Sequence, residues 1–239
     1  MSGHSKWSTI KRKKGEIDAA RGKVFQKLAK EIYVAAKSGT PDPDSNPSLR
    51  MVIEKARGQN MPKDNIQKAI DKAKGASNTE NYDSIRYEGY GAGGVAFIVD
   101  CLTDNKNRTA SQVRAAFTKR GGNLGTAGSV AYMFSRKGVI VIDKRIDEDT
   151  VMMASLDAGA DDFQVEDESY VIYTSPEDFI KVKEELEKLG YEEFLTSEVT
   201  LVPNNEMEVD DDTKEKVYGL QEALEDLDDV QDVYHNMSE

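Results

Sequence analysis

Residues 138–203 read GVIVIDKRIDEDTVMMASLDAGADDFQVEDESYVIYTSPEDFIKVKEELEKLGYEEFLTSEVTLVP, and the fold of the chain turns on them. Residues 139–142 are an unbroken β-branched run, which predicts a buried strand. A helix is expected over 147–157. Residues 163–165 and 170–173 are expected to form a hairpin around the polar turn 166–169. Ser175-Pro176 then opens a second helix, whose stripe Phe179, Val182, Leu186 and Leu189 has helical spacing and which Gly190 ends. Residues 194–202 supply a last strand.

That order, βαββαβ, is the ferredoxin-like pattern. Upstream of it, residues 84–90 and 94–102 read as strands, the second β-rich and central. Thr109-Ala-Ser-Gln112 matches a capping box for a helix running to about Lys119, stopped by Gly121-Gly122, and residues 129–134 read as another strand. Downstream, a polar linker at 203–212 leads into a helix with Val217, Leu220, Leu224 and Leu227 on one face, then a strand near 230–234. A strand cannot stand alone, so this tail is expected to return to the sheet begun by residues 84–134. The ferredoxin-like unit then becomes an insertion.

The N-terminal end is helical. Ile17, Ala20, Val24, Leu28, Ile32 and Ala35 run at helical spacing until Gly39. Asn46-Pro47 caps a second helix built on Leu49, Val52, Ile53 and Ala56. A third opens near Pro62 with Ile66, Ala69, Ile70 and Ala73. Three amphipathic helices joined by short loops close into a bundle. The expected architecture is α+β: a basic three-helix domain with an N-terminal arm at 1–78, a middle α/β domain from 79–137 plus 204–239, and an acidic ferredoxin-like α/β domain at 138–203 inserted into it.

Charge is segregated along these units. The chain has 239 residues and a formal net charge of −12, but residues 1–137 carry +12 and residues 138–239 carry −24; residues 1–75 alone hold +9. Such asymmetry points to one polyanion-facing end and one anion-repelling end. The acidic part is open to three readings: it binds a basic protein, shields the basic domain, or is simply solvated. A single cysteine, Cys101, fits a reducing compartment. No apolar run approaches the roughly 20 residues of a membrane span, and no apolar segment of signal-peptide length follows the basic N-terminus. A cytoplasmic protein without membrane association is expected.

Enzyme motifs find little support. Gly89, Gly91 and Gly94 spell G-x-G-x-x-G, but a strand follows where a dinucleotide site needs a helix, so a hairpin loop explains the glycines better. His4, His235 and Cys101 make no ligand cluster, and Cys101 sits in an apolar strand. No cofactor, no metal and no catalytic residue is expected.

The basic residues carry the functional reading. His4, Lys6, Trp7, Lys11, Arg12, Lys13 and Lys14 form an arm that neutralises phosphates, with Trp7 either stacking on an unpaired base or folding back as an apolar anchor. Beyond Arg21, Lys23, Lys27, Lys30 and Lys37 fall on one stripe of the first helix, Lys68 and Lys72 repeat the spacing on the third, and Lys63 lies near its start. Lys106 and Arg108, at a helix N-terminus, make a further candidate phosphate site; Lys119 and Arg120 complement the other end of that helix. None of the three N-terminal helices shows a base-reading set of Arg, Asn or Gln. The expected partner is DNA, ribosomal RNA or both, with ribosome association possible, and the protein is expected as a monomer or weak oligomer.

Several longer motifs occur in order: Gly3-His-Ser-Lys-Trp7, Asn60-Met-Pro-Lys-Asp-Asn65, Tyr87-Glu-Gly-Tyr-Gly91, Cys101-Leu-Thr-Asp-Asn-Lys-Asn-Arg-Thr109, Gly121-Gly-Asn-Leu124 and Gly128-Ser-Val-Ala-Tyr-Met-Phe134. In these the chain resembles the YebC/PmpR family of probable transcriptional regulators, to which a mitochondrial translational activator of cytochrome c oxidase is related. The resemblance covers essentially the whole chain, more weakly beyond residue 138. It implies a helical domain and two α/β domains, DNA binding in some members, and ribosome-linked work in others, including help at difficult proline-containing stretches. Ala92 departs from the proline usual in the glycine loop, and Ser8-Thr9 and Gly15-Glu16 vary the arm.

Overall fold

The computed structural model describes the backbone of residues 4–75 and 80–238, and side chains from residue 21 onward within them. Three helices come first: α1 (His4–Ser38), α2 (Pro47–Gly58) and α3 (Lys63–Lys74). Their apolar stripes meet in one core that includes Leu28, Ile32, Leu49, Ile53, Ile66 and Ile70. Asn46 builds the corner between α1 and α2. Its Oδ1 accepts from the Leu49 N–H at 3.0 Å, while its Nδ2 donates to the carbonyls of Ala35 and Thr40 at 2.9 and 2.8 Å. The expected N-terminal arm is not a separate element, because α1 already begins at His4. Lysine and arginine are good helix formers, and a single interior glycine such as Gly15 costs only about 1 kcal/mol.

The chain then builds β1 (Asp83–Tyr90), β2 (Ala96–Thr103), α4 (Lys106–Lys119) and a two-residue β3 (Asn123–Leu124). A second set follows: β4 (Phe134–Asp143), α5 (Glu148–Asp157), β5 (Ala160–Val165), β6 (Ser169–Thr174), α6 (Phe179–Lys188) and β7 (Thr196–Pro203). The tail adds α7 (Asp211–Glu225) and β8 (Val230–His235). The strands form two antiparallel sheets, β3-β1-β2-β8 and β5-β6-β4-β7. The second has the ferredoxin-like order, each βαβ crossover leaving room for one strand between its own two. In the first, β8 lies antiparallel to β2, with Phe97 opposite His235 and Val99 opposite Val233, so the tail does return across the inserted unit.

Alternation along the strands sends side chains to two faces. On the first sheet, Phe97 and Val99 meet Val113 and Phe117 of α4 and Val217, Leu220 and Leu224 of α7. Phe97 and Phe117 pack edge to face with centroids 5.9 Å apart. On the second, Ile140, Ile142 and Ile172 meet Val151, Phe179, Val182 and Leu186. The opposite face of the first sheet places Ala96 and Ile98 against Val130 and Phe134, with Leu201 of β7 and Tyr234 packed alongside. The glycine motif is a hairpin loop between β1 and β2. Gly93 and Gly94 have φ of 67° and 80°, and a Cβ on Gly91 would lie 2.7 Å from the Phe97 ring.

Two local expectations fail for identifiable reasons. Residues 129–134 are not a strand: Ala131–Met133 form a 3-10 turn, and Phe134 opens a ten-residue strand of the second sheet. The Glu88 carboxylate takes the N–H groups of Gly128, Val130 and Ala131 at 2.7, 2.8 and 2.8 Å, which withdraws them from any ladder. The capping box at Thr109 is also absent. Asn105 caps α4 by accepting from the Arg108 N–H at 3.0 Å, and Thr109 lies buried one turn inside.

Candidate nucleic-acid interface

The lysine stripe of α1 does not face water as a continuous row. It lies against the C-terminal end of α7, where unpaired carbonyls and acidic side chains concentrate negative charge. Lys23 donates to the Asp226 carbonyl and sits 3.3 Å from its carboxylate. Lys27 donates to the Glu225 carbonyl at 2.6 Å; burial, and then the charge of Lys23, lower its pKa below lysine's ordinary value. Lys30 reaches the carbonyls of Asp228 and Leu102 at 3.1 and 3.4 Å and lies 3.8 Å from Asp229. These three side chains dock the helical domain on the middle one. Arg21 is exposed and lines the adjoining cleft.

Lys37 and Lys72 converge elsewhere. Lys37 donates to the Tyr33 hydroxyl at 3.1 Å and to Asn81 at 3.0 Å, and Lys72 pairs with Glu80 at 2.7 Å. Lys63 and Lys68, on the outer side of α3, are exposed with no ion pair among the described residues. The side chains of His4, Lys6, Trp7, Lys11, Arg12, Lys13 and Lys14 lie outside the described residues.

The expected phosphate site at the start of α4 is occupied by the chain's own carboxylates. Arg108 makes a two-pronged contact with buried Asp229, its Nη2 at 2.7 Å and Nε at 3.1 Å, and also reaches Asp104 at 2.7 Å. The Thr109 hydroxyl donates to Asp229 at 2.8 Å. Hydrogen bonds to Asp229 and Asp104 raise the Arg108 pKa above its ordinary value. Lys106 pairs with Asp83 at 3.3 Å. Arg108 is therefore a structural clamp between α4 and the start of β8.

A cleft of about 1230 Å³ opens between the units, lined by α1, α2, β7, α7 and β8. Within it Lys55 lies 3.0 Å from Glu31 and 2.7 Å from Asp232, joining α2, α1 and β8. Burial pushes the Glu31 carboxyl up to about 7 against the pull of Lys55. Burial alone would lower Lys55, but Asp232 and Glu31 together hold its pKa well above the ordinary lysine value. Sequence reading missed this triad, although Glu31 gives a signal: it stands at i+3 from Leu28 and beside Ile32, on the apolar face of α1. On the far side, Lys183 of α6 reaches Glu54 of α2 at 2.7 Å.

Among the described residues no group of His, Cys, Asp and Glu is arranged to hold a metal. Cys101 is buried, and burial raises its thiol pKa to about 12, which leaves it without thiolate near neutrality. No described helix is long and apolar enough to cross a membrane.

A helical basic domain locked by lysines onto a bilobed α/β body, with one lobe inserted into the other, defines a class of three-unit α+β proteins with separated charge. The description "TACO1/YebC protein N-terminal domain" matches residues 5–76, and "TACO1/YebC second and third domain" matches residues 82–237. The chain belongs to the TACO1/YebC family, the YebC/PmpR family of the motifs above. It is 60% identical over 237 residues to a probable transcriptional regulatory protein of Lactobacillus acidophilus, covering 98% of this chain and 97% of that one. A protein of the same designation from Geobacillus kaustophilus is 56% identical over 242 residues, covering 100% and 98%. The crystal structure of a conserved hypothetical protein from Aquifex aeolicus superposes with a TM-score of 0.79 at 46% identity, covering 93% of this chain and 92% of that one. The family carries a regulatory designation rather than an enzymatic one.

Proposed function

We propose that this chain is a nucleic-acid-binding regulator of gene expression, acting in the cytoplasm on DNA as a transcriptional regulator and not as an enzyme. The observation that carries the reading is the separation of charge, +12 over residues 1–137 against −24 over residues 138–239. A polyanion is drawn to the first part and repelled by the second, which orients the protein on its target. The relatives' designation as probable transcriptional regulators supports the same reading. In it the phosphate contacts come from the N-terminal residues His4 to Lys14 and from exposed Lys63 and Lys68. The protein binds as a monomer or weak oligomer.

A second reading, a translation factor acting on ribosomal RNA, is favoured by the chemistry of α3. Its exposed cations Lys63 and Lys68 are lysines, which hold phosphates as point charges without reading base edges. In-cell crosslinking of the tagged protein, with sequencing of both recovered DNA and recovered RNA, separates the two. Discrete promoter peaks establish the transcriptional role. Ribosomal RNA enrichment without promoter peaks replaces it with the translational one, and enrichment of neither refutes both.

A further inference from the structure

From Asn105 to Ile142 the chain contains no Asp or Glu, yet it holds Lys106, Arg108, Arg114, Lys119, Arg120, Arg136 and Lys137. With 44 acidic residues among 239, such a gap is a bias of composition that calls for a cause. Helix α4 fills the first part of it. Its inner side, Thr109, Val113 and Phe117, is buried against the first sheet. Opposite, Asn107, Ser111, Arg114 and Thr118 follow one another at spacings of four, three and four, so they share one exposed face with Ala115.

A helix face that serves only solvation mixes its signs. Helix α6 does so, alternating Lys181, Lys183 and Lys188 with Glu184, Glu185 and Glu187. Helix α4 shows basic and neutral hydrogen-bonding groups alone. Arg114, Lys119 and Arg120 are exposed, and among the described residues none of them makes an ion pair or side-chain hydrogen bond. At the centre of the face, Ser111 and Ala115 are small enough to let a sugar-phosphate backbone approach. Arginine and asparagine beside them suit phosphate oxygens and base edges alike.

We infer that the exposed face of α4, centred on Arg114 and continued by Lys119, is a further surface that grips the sugar-phosphate backbone of duplex DNA, beside the N-terminal residues and Lys63 and Lys68. It takes the part that the α1 lysines, engaged on α7, do not play. This assignment rests on the nucleic-acid reading above and names the site within it.

The test is fluorescence anisotropy of the full-length chain with labelled duplex DNA, duplex RNA and single-stranded RNA across a salt series. Arg114→Gln with Lys119→Gln keeps good helix formers on an exposed face, and an unchanged thermal midpoint confirms folding. Losing two phosphate contacts should flatten the slope of log K against log salt by about 1.4–1.8 and weaken binding roughly tenfold or more near physiological salt. That loss should fall on the duplex DNA probe; a loss confined to the RNA probes overturns the assignment to DNA. Lys181→Gln with Lys188→Gln, on α6, should change neither quantity; an equal loss there makes the effect one of net charge and overturns the assignment. Wild-type binding with an unaltered α4 variant overturns the assignment alone. No wild-type binding to any probe overturns it together with the functional reading.

Discussion

Glu88 holds the passage between the two sheets, and its replacement by glutamine is the sharpest test of that role. Its carboxylate is buried and accepts three backbone N–H groups, from Gly128 at 2.7 Å and from Val130 and Ala131 at 2.8 Å. Both oxygens are used, Oε1 for Gly128 and Oε2 for the other two. Glu88→Gln keeps one carbonyl oxygen but points an NH2 at the remaining N–H groups, so at least one buried donor loses its acceptor. A hydrogen bond to a charged group is worth about 1.5–3 kcal/mol, and an orphaned buried donor costs about 1–3 kcal/mol. The bonds share one geometry and do not add, so the expected cost is about 2–3 kcal/mol. Glu88→Ala removes all three acceptors and should cost about 3–5 kcal/mol, because Val130 and Phe134 then lose their fixed seat against Ala96 and Ile98. Urea denaturation reads both, with midpoint shifts of about 1 M for the first. The pH dependence gives an independent sign. Burial alone would raise the Glu88 pKa, but the three N–H groups hold it below its ordinary value. The stability it contributes is thus present above the ordinary carboxylate range and lost as pH falls through the depressed pKa. The gap between wild type and Glu88→Gln should close in acid. A glutamine variant as stable as wild type at pH 7, or a gap that ignores pH, refutes the clamp.

Three further outcomes are expected. Gly91→Ala drives a Cβ to 2.7 Å from the Phe97 ring and 3.3 Å from Leu220, and should lower stability by about 1–3 kcal/mol in urea melts. Glu31, raised from 4.5 to about 7, contributes its stability as the neutral acid: fully present below pH 4.5 and lost as pH rises through 7. Wild type should therefore lose stability across that window, and Glu31→Gln should not; parallel curves would refute the assignment. Replacing Lys23, Lys27 and Lys30 together by Gln should lower the thermal midpoint by loosening α1 from α7, an effect differential scanning calorimetry would register without any nucleic acid present.

Elements with strong periodicity were legible in the sequence. The stripe Phe179, Val182 and Leu186 and the run 139–142 identified the inserted unit, and both lie fully buried, the strand on both of its faces. The return of β8 to the first sheet followed from a strand's need of a partner, though not its place beside β2. What escaped was decided by side chains that take backbone amides out of local competition. Glu88 lies 40 residues from the Gly128 N–H it captures, and no window of periodicity spans that distance. Likewise the Thr109 hydroxyl is drawn to Asp229, 120 residues away, while Asn105 does the capping.

The site was legible as composition but not as placement. Spacing located Lys23, Lys27 and Lys30 on one stripe, and the stripe exists; what spacing could not give was the α7 C-terminus against it. A row of cations beside an apolar face is suited equally to a phosphate backbone and to the carbonyl end of a helix, since both present oxygens in a negative field. The chain has filled its own site: Glu225, Asp226, Asp228 and Asp229 supply internally what a polyanion would supply from outside. The same substitution occurs at α4, where Asp229 and Asp104 occupy Arg108. Cations that keep a role in recognition must then be those no internal carboxylate has claimed. By that criterion Arg114, Lys119, Lys63 and Lys68 qualify and the α1 stripe does not, so charge reversal on α1 should disturb the fold before it disturbs binding.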